Sequence, residues 1–275
     1  MTKGFVRTVR GWLAVALVMG AASACAISTQ QEQQIGRDYS AQLDRELPIV
    51  NEPAVERYLS ALGSEIASNA GRRDVTYRFR LVNSNVVNAF AVPGGYIYIN
   101  RGIVARASNM SELAGVVAHE IAHVDLRHSA EQMGRAQTAN TGLTLAYILL
   151  GRSPGTAERA AINVGGGLYF ANHSRDAENE ADAAAVSMLV ASGIDPNGLP
   201  TFFRKLLDEQ RGQSSAVTQW FSTHPTTEDR IANVRGLIDR QPAARLRGLQ
   251  QDSDAFRRFK TALSRLPTAS DRSGN

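Results

Sequence analysis

Apolar and polar positions change their spacing along the first half of the chain. Over residues 53–70, apolar side chains recur with the 3.6-residue period of an amphipathic helix. Over residues 76–82 they alternate with polar side chains, which is the period of a half-buried strand. Two more strands are predicted at 85–92 and 96–100, and the Pro-Gly-Gly at 93–95 is a turn signal between them.

The second half of the chain is helical almost throughout. Ser111, followed by an apolar run, is a plausible helix start. Further helices are predicted at 156–171, 174–192 and 197–211, and from 226 to the end with breaks near 241 and 251. A small sheet beside a large helical body indicates an α+β fold, a mainly helical domain with a three- to four-stranded sheet.

The first 24 residues have the layout of a bacterial secretory signal. A positively charged start is followed by a short apolar run at 12–19 and by small residues at 20–24. The apolar run is too short for a membrane-spanning helix. A signal peptide is therefore predicted at 1–24.

The charge of the chain changes once this segment is set aside. The whole chain has a formal net charge of +4, with 43% hydrophobic and 20% charged residues, which is ordinary globular composition. Beyond residue 24, 27 basic residues face 26 acidic ones, a net charge of +1. No basic footprint for nucleic acid remains, so nucleic acid is not a predicted partner.

The single cysteine, Cys25, directly follows the small-residue run. Ala22-Ser23-Ala24-Cys25 resembles a bacterial lipobox, in which the cysteine is lipidated, although Ala22 replaces the usual leucine. Lipidation of Cys25 is the favoured interpretation, and simple cleavage after Ala24 stays open. A lipid anchor would attach the chain to a membrane face without a spanning helix, and Ala26 after the cysteine favours the outer membrane.

The stretch His119-Glu120-Ile121-Ala122-His123 indicates metal chemistry. Positions i and i+4 of a helix lie on one face, so His119 and His123 can direct nitrogens at one ion. Zinc with an open ligand position activates water, and Glu120 is placed to take the proton. The alternative is a pair of core or solvated histidines.

A second acidic stretch can complete the site. Glu178 and Asp182 are again i and i+4, so Glu178 can be the third ligand and Asp182 can hold the second nitrogen of a ligating imidazole. Glu180 lies about 200° around the helix from Glu178 and is the poorer candidate. In isolation the stretch is more typical of a solvated acidic face, and the histidine motif reverses that interpretation.

The positions of the other histidines are predicted from the helical rotation that separates them from the candidate ligands. On an uninterrupted helix His128 lies about 180° from His119, so it is predicted to be a surface or helix-end residue. His173, about 140° from Glu178, is predicted to cap or pack. His224 precedes Pro225, which disfavours helical geometry and predicts a loop, and the residues alone leave its role open.

These motifs, with the segment 88–99, resemble the zinc metallopeptidase family of HtpX and the CAAX prenyl proteases, and within it the soluble periplasmic branch of BepA and LoiP. The resemblance covers roughly 30–240 and implies a gluzincin-like endopeptidase. It assigns one zinc ion to His119, His123 and Glu178, and the general base to Glu120. It makes His224 a gate or transition-state stabiliser and Arg230 a partner near the oxyanion.

Zincins commonly bind substrate as an added strand at a sheet edge. Such an edge is predicted at four residues, where plain core sheet is the alternative: Asn88, Ala89, Phe90 and Ala91.

The sequence thus predicts a metalloendopeptidase domain at 25–240 and a C-terminal helical extension with a frayed tail at 241–275. The expected location is the periplasm, with a lipid anchor to the outer membrane. The expected substrates are misfolded or misassembled envelope proteins. The alternative is a non-proteolytic assembly factor or chaperone whose zinc site is closed by His224.

Overall fold

The computed structural model describes residues 27–132 and 173–268, and all structural statements concern these ranges. The helices are α1 (Thr29–Glu46), α2 (Pro53–Ala67), α3 (Arg101–Arg106), α4 (Met110–Asp125), α5 (Arg175–Ala191), α6 (Gly198–Arg211), α7 (Thr218–Thr223), α8 (Glu228–Asp239) and α9 (Asp254–Ser264). The strands are β1 (Arg78–Val82), β2 (Ala89–Val92) and β3 (Tyr96–Asn100). The predicted α+β class, mainly helical with a small sheet, is confirmed. The predicted signal peptide, Cys25 and the helix predicted at 156–171 lie outside the described residues.

The three strands form one mixed sheet in the order β1-β3-β2. β1 runs parallel to β3, and β2 runs antiparallel to it, with Ala89 opposite Ile99. The predicted turn joins β2 to β3, and Gly94 and Gly95 have positive φ angles of 80° and 100°. A Cβ at Gly95 would also lie 2.6 Å from the carbonyl oxygen of Thr76, so both conformation and space require glycine there.

β2 is shorter than the predicted strand at 85–92. The amide of Val87 donates to the carbonyl of Ala216 at 3.0 Å, so this part of the segment bonds to the 3-10 turn before α7. The strand begins only at Ala89, after the carbonyl of Asn88 has accepted from the amide of Asn100 at 2.9 Å.

Helix α4 lies in the centre of the fold. All residues from Met110 to Val124 are buried, because α5 and α6 pack on the helix together with α2 and strands β2 and β3. It begins one residue before the predicted start at Ser111, because the side chain of Asn109 accepts from the amide of Glu112 at 3.1 Å and caps the helix.

The helices that follow have their own starting signals. Ser174 Oγ accepts from the amide of Ala177 at 3.1 Å and begins α5, within the predicted 174–192. Thr227 Oγ1 accepts from the amide of Arg230 at 3.2 Å and begins α8. The predicted breaks near 241 and 251 are present, but the helix predicted between them does not form, because the chain from the end of α8 to the start of α9 is not helical.

Helix α9 packs against α2 instead of extending away from the core. Phe256, Phe259 and Leu263 are buried, and the ring of Tyr58 stacks on Phe259 with centroids 4.4 Å apart. Arg101 donates to the carbonyl of Leu263 at 2.9 Å and so satisfies the end of α9. None of the described helices has both the length and the apolar character needed to cross a membrane.

Candidate metal centre

Helix α4 brings two imidazoles together in the interior. His119 and His123 lie one turn apart, both are fully buried, and their Nε2 atoms are 3.0 Å apart. One N–H···N hydrogen bond could join these two nitrogens, but further ligand atoms converge on the same point, an arrangement that a shared ion explains. Glu120 lies between them at the edge of the same face.

Helix α5 adds a carboxylate on the facing side. Glu178 Oε1 is 3.3 Å from His123 Nε2, and Glu178 Oε2 is 3.4 Å from His119 Nε2. One turn later, Asp182 Oδ1 is 2.9 Å from His119 Nδ1, the ring nitrogen that points away from the cluster. The structure therefore brings both carboxylates to the two imidazoles, and their roles as metal ligand and imidazole partner are proposals.

His224 enters from the loop after α7. Its φ and ψ of −127° and 81° are not helical, as expected before Pro225. Its Nδ1 lies 3.1 Å from Glu178 Oε1, and its Nε2 lies 3.4 Å from Glu120 Oε1. The ring stacks on Trp220 with centroids 4.7 Å apart, which holds it over the site.

Arg230 supports the cluster from α8. Its guanidinium donates to both oxygens of Asp182, at 2.6 Å and 2.8 Å, and also contacts Glu178 Oε2. The same group lies over the ring of Phe203, 4.6 Å from the centroid. The structure thus places Arg230 on the two carboxylates, whereas the resemblance implied a place near the oxyanion.

Burial and charge change the pKa values of these groups in different directions. Burial raises the pKa of Glu120. Burial would also raise that of Glu178, but His224 and Arg230 outweigh it and hold the pKa well below its usual range. Burial disfavours the charged form of His119, yet Glu178 and Asp182 raise its pKa to about 9. For His123, burial and then His173 lower the pKa.

Two histidines that the angles excluded also belong to this cluster. His128 is 7% exposed, and its Nδ1 lies 2.8 Å from His123 Nδ1. Of the two predicted positions, the helix end is the one observed, since α4 ends at Asp125, and the surface is not, because Arg127 has a φ of 60° and no uninterrupted helix carries His128 away. A non-helical turn at 126–127 was the missing information.

The prediction for His173 also assumed an uninterrupted helix. It precedes the N-cap of α5, so the helical angle to Glu178 does not apply, and its ring stacks on His123 with centroids 3.9 Å apart. It packs, as predicted, but against a candidate ligand. Burial, followed by His224, lowers the pKa of His173 to about 3.

The residues present fit a zinc ion. Four buried residues, His119, His123, Glu178 and His224, each offer one ligand atom, and these atoms lie within 4.8 Å of one another. Imidazole nitrogen and carboxylate oxygen are ordinary zinc donors. Glu120 Oε1 is buried and receives no hydrogen bond from the described residues; His224 Nε2 faces it at 3.4 Å, and its hydrogen-bonding capacity is available to a group in the site.

The predicted substrate strand lies at an edge of the sheet that the described residues form. Ala89, Phe90 and Ala91 belong to β2, which packs against α4. Asn88 precedes them, and its Oδ1 lies 3.5 Å from Thr223 Oγ1, directly beside His224. Strand and candidate metal cluster are therefore neighbours, and the substrate role of the strand remains a proposal.

Comparison with known proteins gives a consistent result. The profile of Peptidase family M48 matches residues 53–238, which contain every residue of the cluster. The beta-barrel assembly-enhancing protease of Escherichia coli (strain K12) is 35% identical over 224 residues, covering 79% of this chain and 46% of the relative. The chain thus spans about half the length of these relatives.

Two further relatives extend the comparison. Metalloprotease LoiP of Escherichia coli (strain K12) is 27% identical over 216 residues, covering 77% of this chain and 82% of the relative. The mitochondrial metalloendopeptidase OMA1 of Schizosaccharomyces pombe is 30% identical over 213 residues, covering 78% and 60% respectively.

Proposed function

The chain belongs to peptidase family M48, as its motifs predicted, and on this premise we propose that it is a zinc-dependent endopeptidase of the bacterial cell envelope. One observation carries the proposal: Glu120 lies with a buried oxygen free of hydrogen bonds beside four convergent ligand atoms. A purely structural zinc site needs no such carboxylate, whereas peptide hydrolysis needs a base there.

In this proposal the three metal ligands are His119, His123 and Glu178, with one zinc ion per chain. When bound, zinc polarises the scissile carbonyl and lowers the pKa of a water molecule. Glu120, whose buried Oε1 receives no hydrogen bond from the described residues, would accept a proton from the attacking water. Glu120 would then return this proton to the leaving amine.

Asp182 and Arg230 maintain the geometry of this site. Asp182 accepts from Nδ1–H of His119 and so leaves Nε2 of that ring to the metal. Arg230 holds Asp182 through two parallel hydrogen bonds, a geometry that fixes the carboxylate in one plane.

His224 has a dual role in the proposal. With its Nδ1 among the ligand atoms, it occupies the place that a substrate carbonyl needs, and the site is closed. Moved outward with its loop, the same imidazole can donate to the oxyanion. Peptide substrate binds along β2, through the backbone of residues 88–91, as an added strand.

We place the enzyme in the periplasm, attached to the outer membrane by a lipid on Cys25, with misfolded or misassembled envelope proteins as substrates. The signal-like segment 1–24 and the name of the beta-barrel assembly-enhancing relatives support this location and substrate class. Membrane fractionation tests the anchor: Cys25→Ser should release the protein, and continued membrane attachment would contradict lipidation.

The enzyme proposal is tested with purified residues 26–275 loaded with zinc and given unfolded casein. The parent should cleave casein, and Glu120→Gln should lower the rate by roughly 100-fold or more, since general-base catalysis contributes about 10²–10⁴. Zinc content by elemental analysis should be equal in the two proteins. Hydrolysis that persists in Glu120→Gln would sink the mechanism.

A second candidate function, a non-proteolytic assembly factor, is favoured by one observation: His224 already lies among the ligand atoms. The variant His224→Ala separates the two functions. Casein cleavage that appears or increases in His224→Ala supports an enzyme closed by this residue. Inactivity of both parent and His224→Ala, with zinc bound, supports the assembly factor.

A further inference from the structure

Each ring nitrogen of His123 faces a different group. Its Nε2 faces the cluster, 3.0 Å from His119 Nε2 and 3.3 Å from Glu178 Oε1. Its Nδ1 faces His128 Nδ1 at 2.8 Å. A neutral imidazole has one donor and one acceptor nitrogen, and a ligating nitrogen must keep its lone pair. His123 therefore carries its proton on Nδ1.

This assignment determines the state of the next ring. Since His123 Nδ1–H donates, His128 Nδ1 must accept, and the proton of His128 is on Nε2. That nitrogen lies 3.2 Å from Glu180 Oε2, which accepts from it. One chain of hydrogen bonds thus runs from His123 through His128 to Glu180, with every donor matched to an acceptor.

From this chain we propose that His128 is a positioning residue, which accepts from Nδ1–H of His123 and holds that imidazole with Nε2 directed at the metal. The inference rests on the proposed zinc site. Each of the two ligating histidines would then have a partner on its second ring nitrogen, because His119 Nδ1 lies 2.9 Å from Asp182 Oδ1. Groups that orient ligating histidines raise metal affinity by about 10–100-fold.

The backbone is built to place His128 there. Arg127, directly before it, has a φ of 60°, which an arginine adopts only when its surroundings hold it. Its side chain donates to Glu32 at 3.0 Å and to the carbonyl of Ile27 at 2.5 Å. Glu32 is itself buried and also paired with Arg72. The turn that swings His128 back is therefore anchored to α1.

The test compares two substitutions of the same residue. In His128→Asn, the amide oxygen can take the place of Nδ1 and accept from His123, whereas His128→Leu has no acceptor. The readout is the zinc dissociation constant, measured by competition with a chromophoric chelator on purified residues 26–275. We expect His128→Leu to weaken zinc binding by about 10–100-fold and His128→Asn to stay close to the parent.

Three outcomes separate the possibilities. Unchanged zinc affinity in His128→Leu overturns the positioning role. Equal weakening in both variants, with an equal fall in melting temperature, also overturns it and indicates packing alone. If the parent and His224→Ala both bind zinc but cleave no casein, the proposed function is refuted, and the positioning role still stands if His128→Leu alone loses affinity.

The protonated nitrogen of each histidine can also be measured directly on the parent protein, and this test does not depend on the folding of any variant. In the zinc-loaded protein with 15N-labelled histidine, the nitrogen spectrum should show His123 protonated at Nδ1 and His128 protonated at Nε2. A His128 protonated at Nδ1 would refute the inferred chain. Glu180, whose side chain is 66% exposed, serves as the graded control: Glu180→Gln should change zinc affinity less than His128→Leu, because an exposed partner contributes little.

Discussion

The two helices that carry the candidate ligands are enclosed to very different extents. Every residue of α4 from Met110 to Val124 is buried. Helix α5 buries a single face that includes Glu178 and Asp182, and it exposes Glu180 and Ser187. Helix α4 directs its imidazoles, and helix α5 its carboxylates, at the same point. The site therefore lies between a fully enclosed central helix and a helix with one face in solvent.

Because of this difference in burial, the two helices should differ in how well they tolerate substitution. On α5, exposed positions lie next to functional ones, so neighbouring residues should differ sharply in their effects. On α4, no position from Met110 to Val124 faces solvent, and a neighbouring helix approaches at backbone distance: a Cβ at Gly115 would lie 2.9 Å from Leu199 Cα of α6. Substitution at any of these positions should therefore disturb packing.

The largest expected contrast is on α5, between two glutamates. Glu178→Ala removes a buried ligand oxygen and should abolish stoichiometric zinc binding, whereas Glu180→Ala removes an exposed carboxylate and should leave zinc bound. Elemental analysis after dialysis measures both. Circular dichroism of the two variants should match the parent, and unchanged zinc content in Glu178→Ala would count against this ligand.

A smaller contrast compares the enclosed helix with the exposed face. Gly115→Val forces side-chain atoms into the backbone of Leu199 and should lower the free energy of unfolding by about 1–3 kcal/mol. Ser187→Val, on the solvent side of α5, should change it by less than about 0.5 kcal/mol. Urea denaturation measures both values, and equal values would show that α4 is not tightly packed at Gly115.

The smallest contrast concerns the N-caps. Asn109 Oδ1 accepts from the amide of Glu112 and from Ser111 Oγ, at 3.1 Å and 2.9 Å, and Ser111 is fully buried. Ser174 Oγ accepts one amide at an exposed helix start. Asn109→Ala should therefore cost about 1–2 kcal/mol and Ser174→Ala about 0.5–1 kcal/mol. Thermal unfolding should rank them in this order, and the reverse order would refute the argument from burial.

Much of the fold could be predicted because its signals are local. The alternation that predicted β1, the glycine turn at 93–95 and the pattern of α2 all depend on neighbouring residues. The same holds for His119 with His123 and for Glu178 with Asp182, since one helical turn separates the members of each pair.

Two histidines show where local spacing stops being informative: His128 is not at the surface, and His173 packs as predicted but against His123, a contact that its helical angle did not indicate. Both rested on helical angles carried past a helix end, and the left-handed Arg127 and the cap at Ser174 lie at those ends. The anchors of the Arg127 turn, Glu32 and Ile27, are about a hundred residues away in sequence. Helical spacing relates only residues about one turn apart, so it could not have predicted these contacts.

By itself the sequence determined which residues can share a helical face, and hence that two imidazoles and two carboxylates form matched pairs. Only the tertiary structure decided that α4 and α5 face each other, that His224 enters from a distant loop, and that His128 turns back onto His123. The physical reason is that helical geometry acts over one turn, whereas these contacts depend on packing and buried ion pairs between segments far apart in the chain.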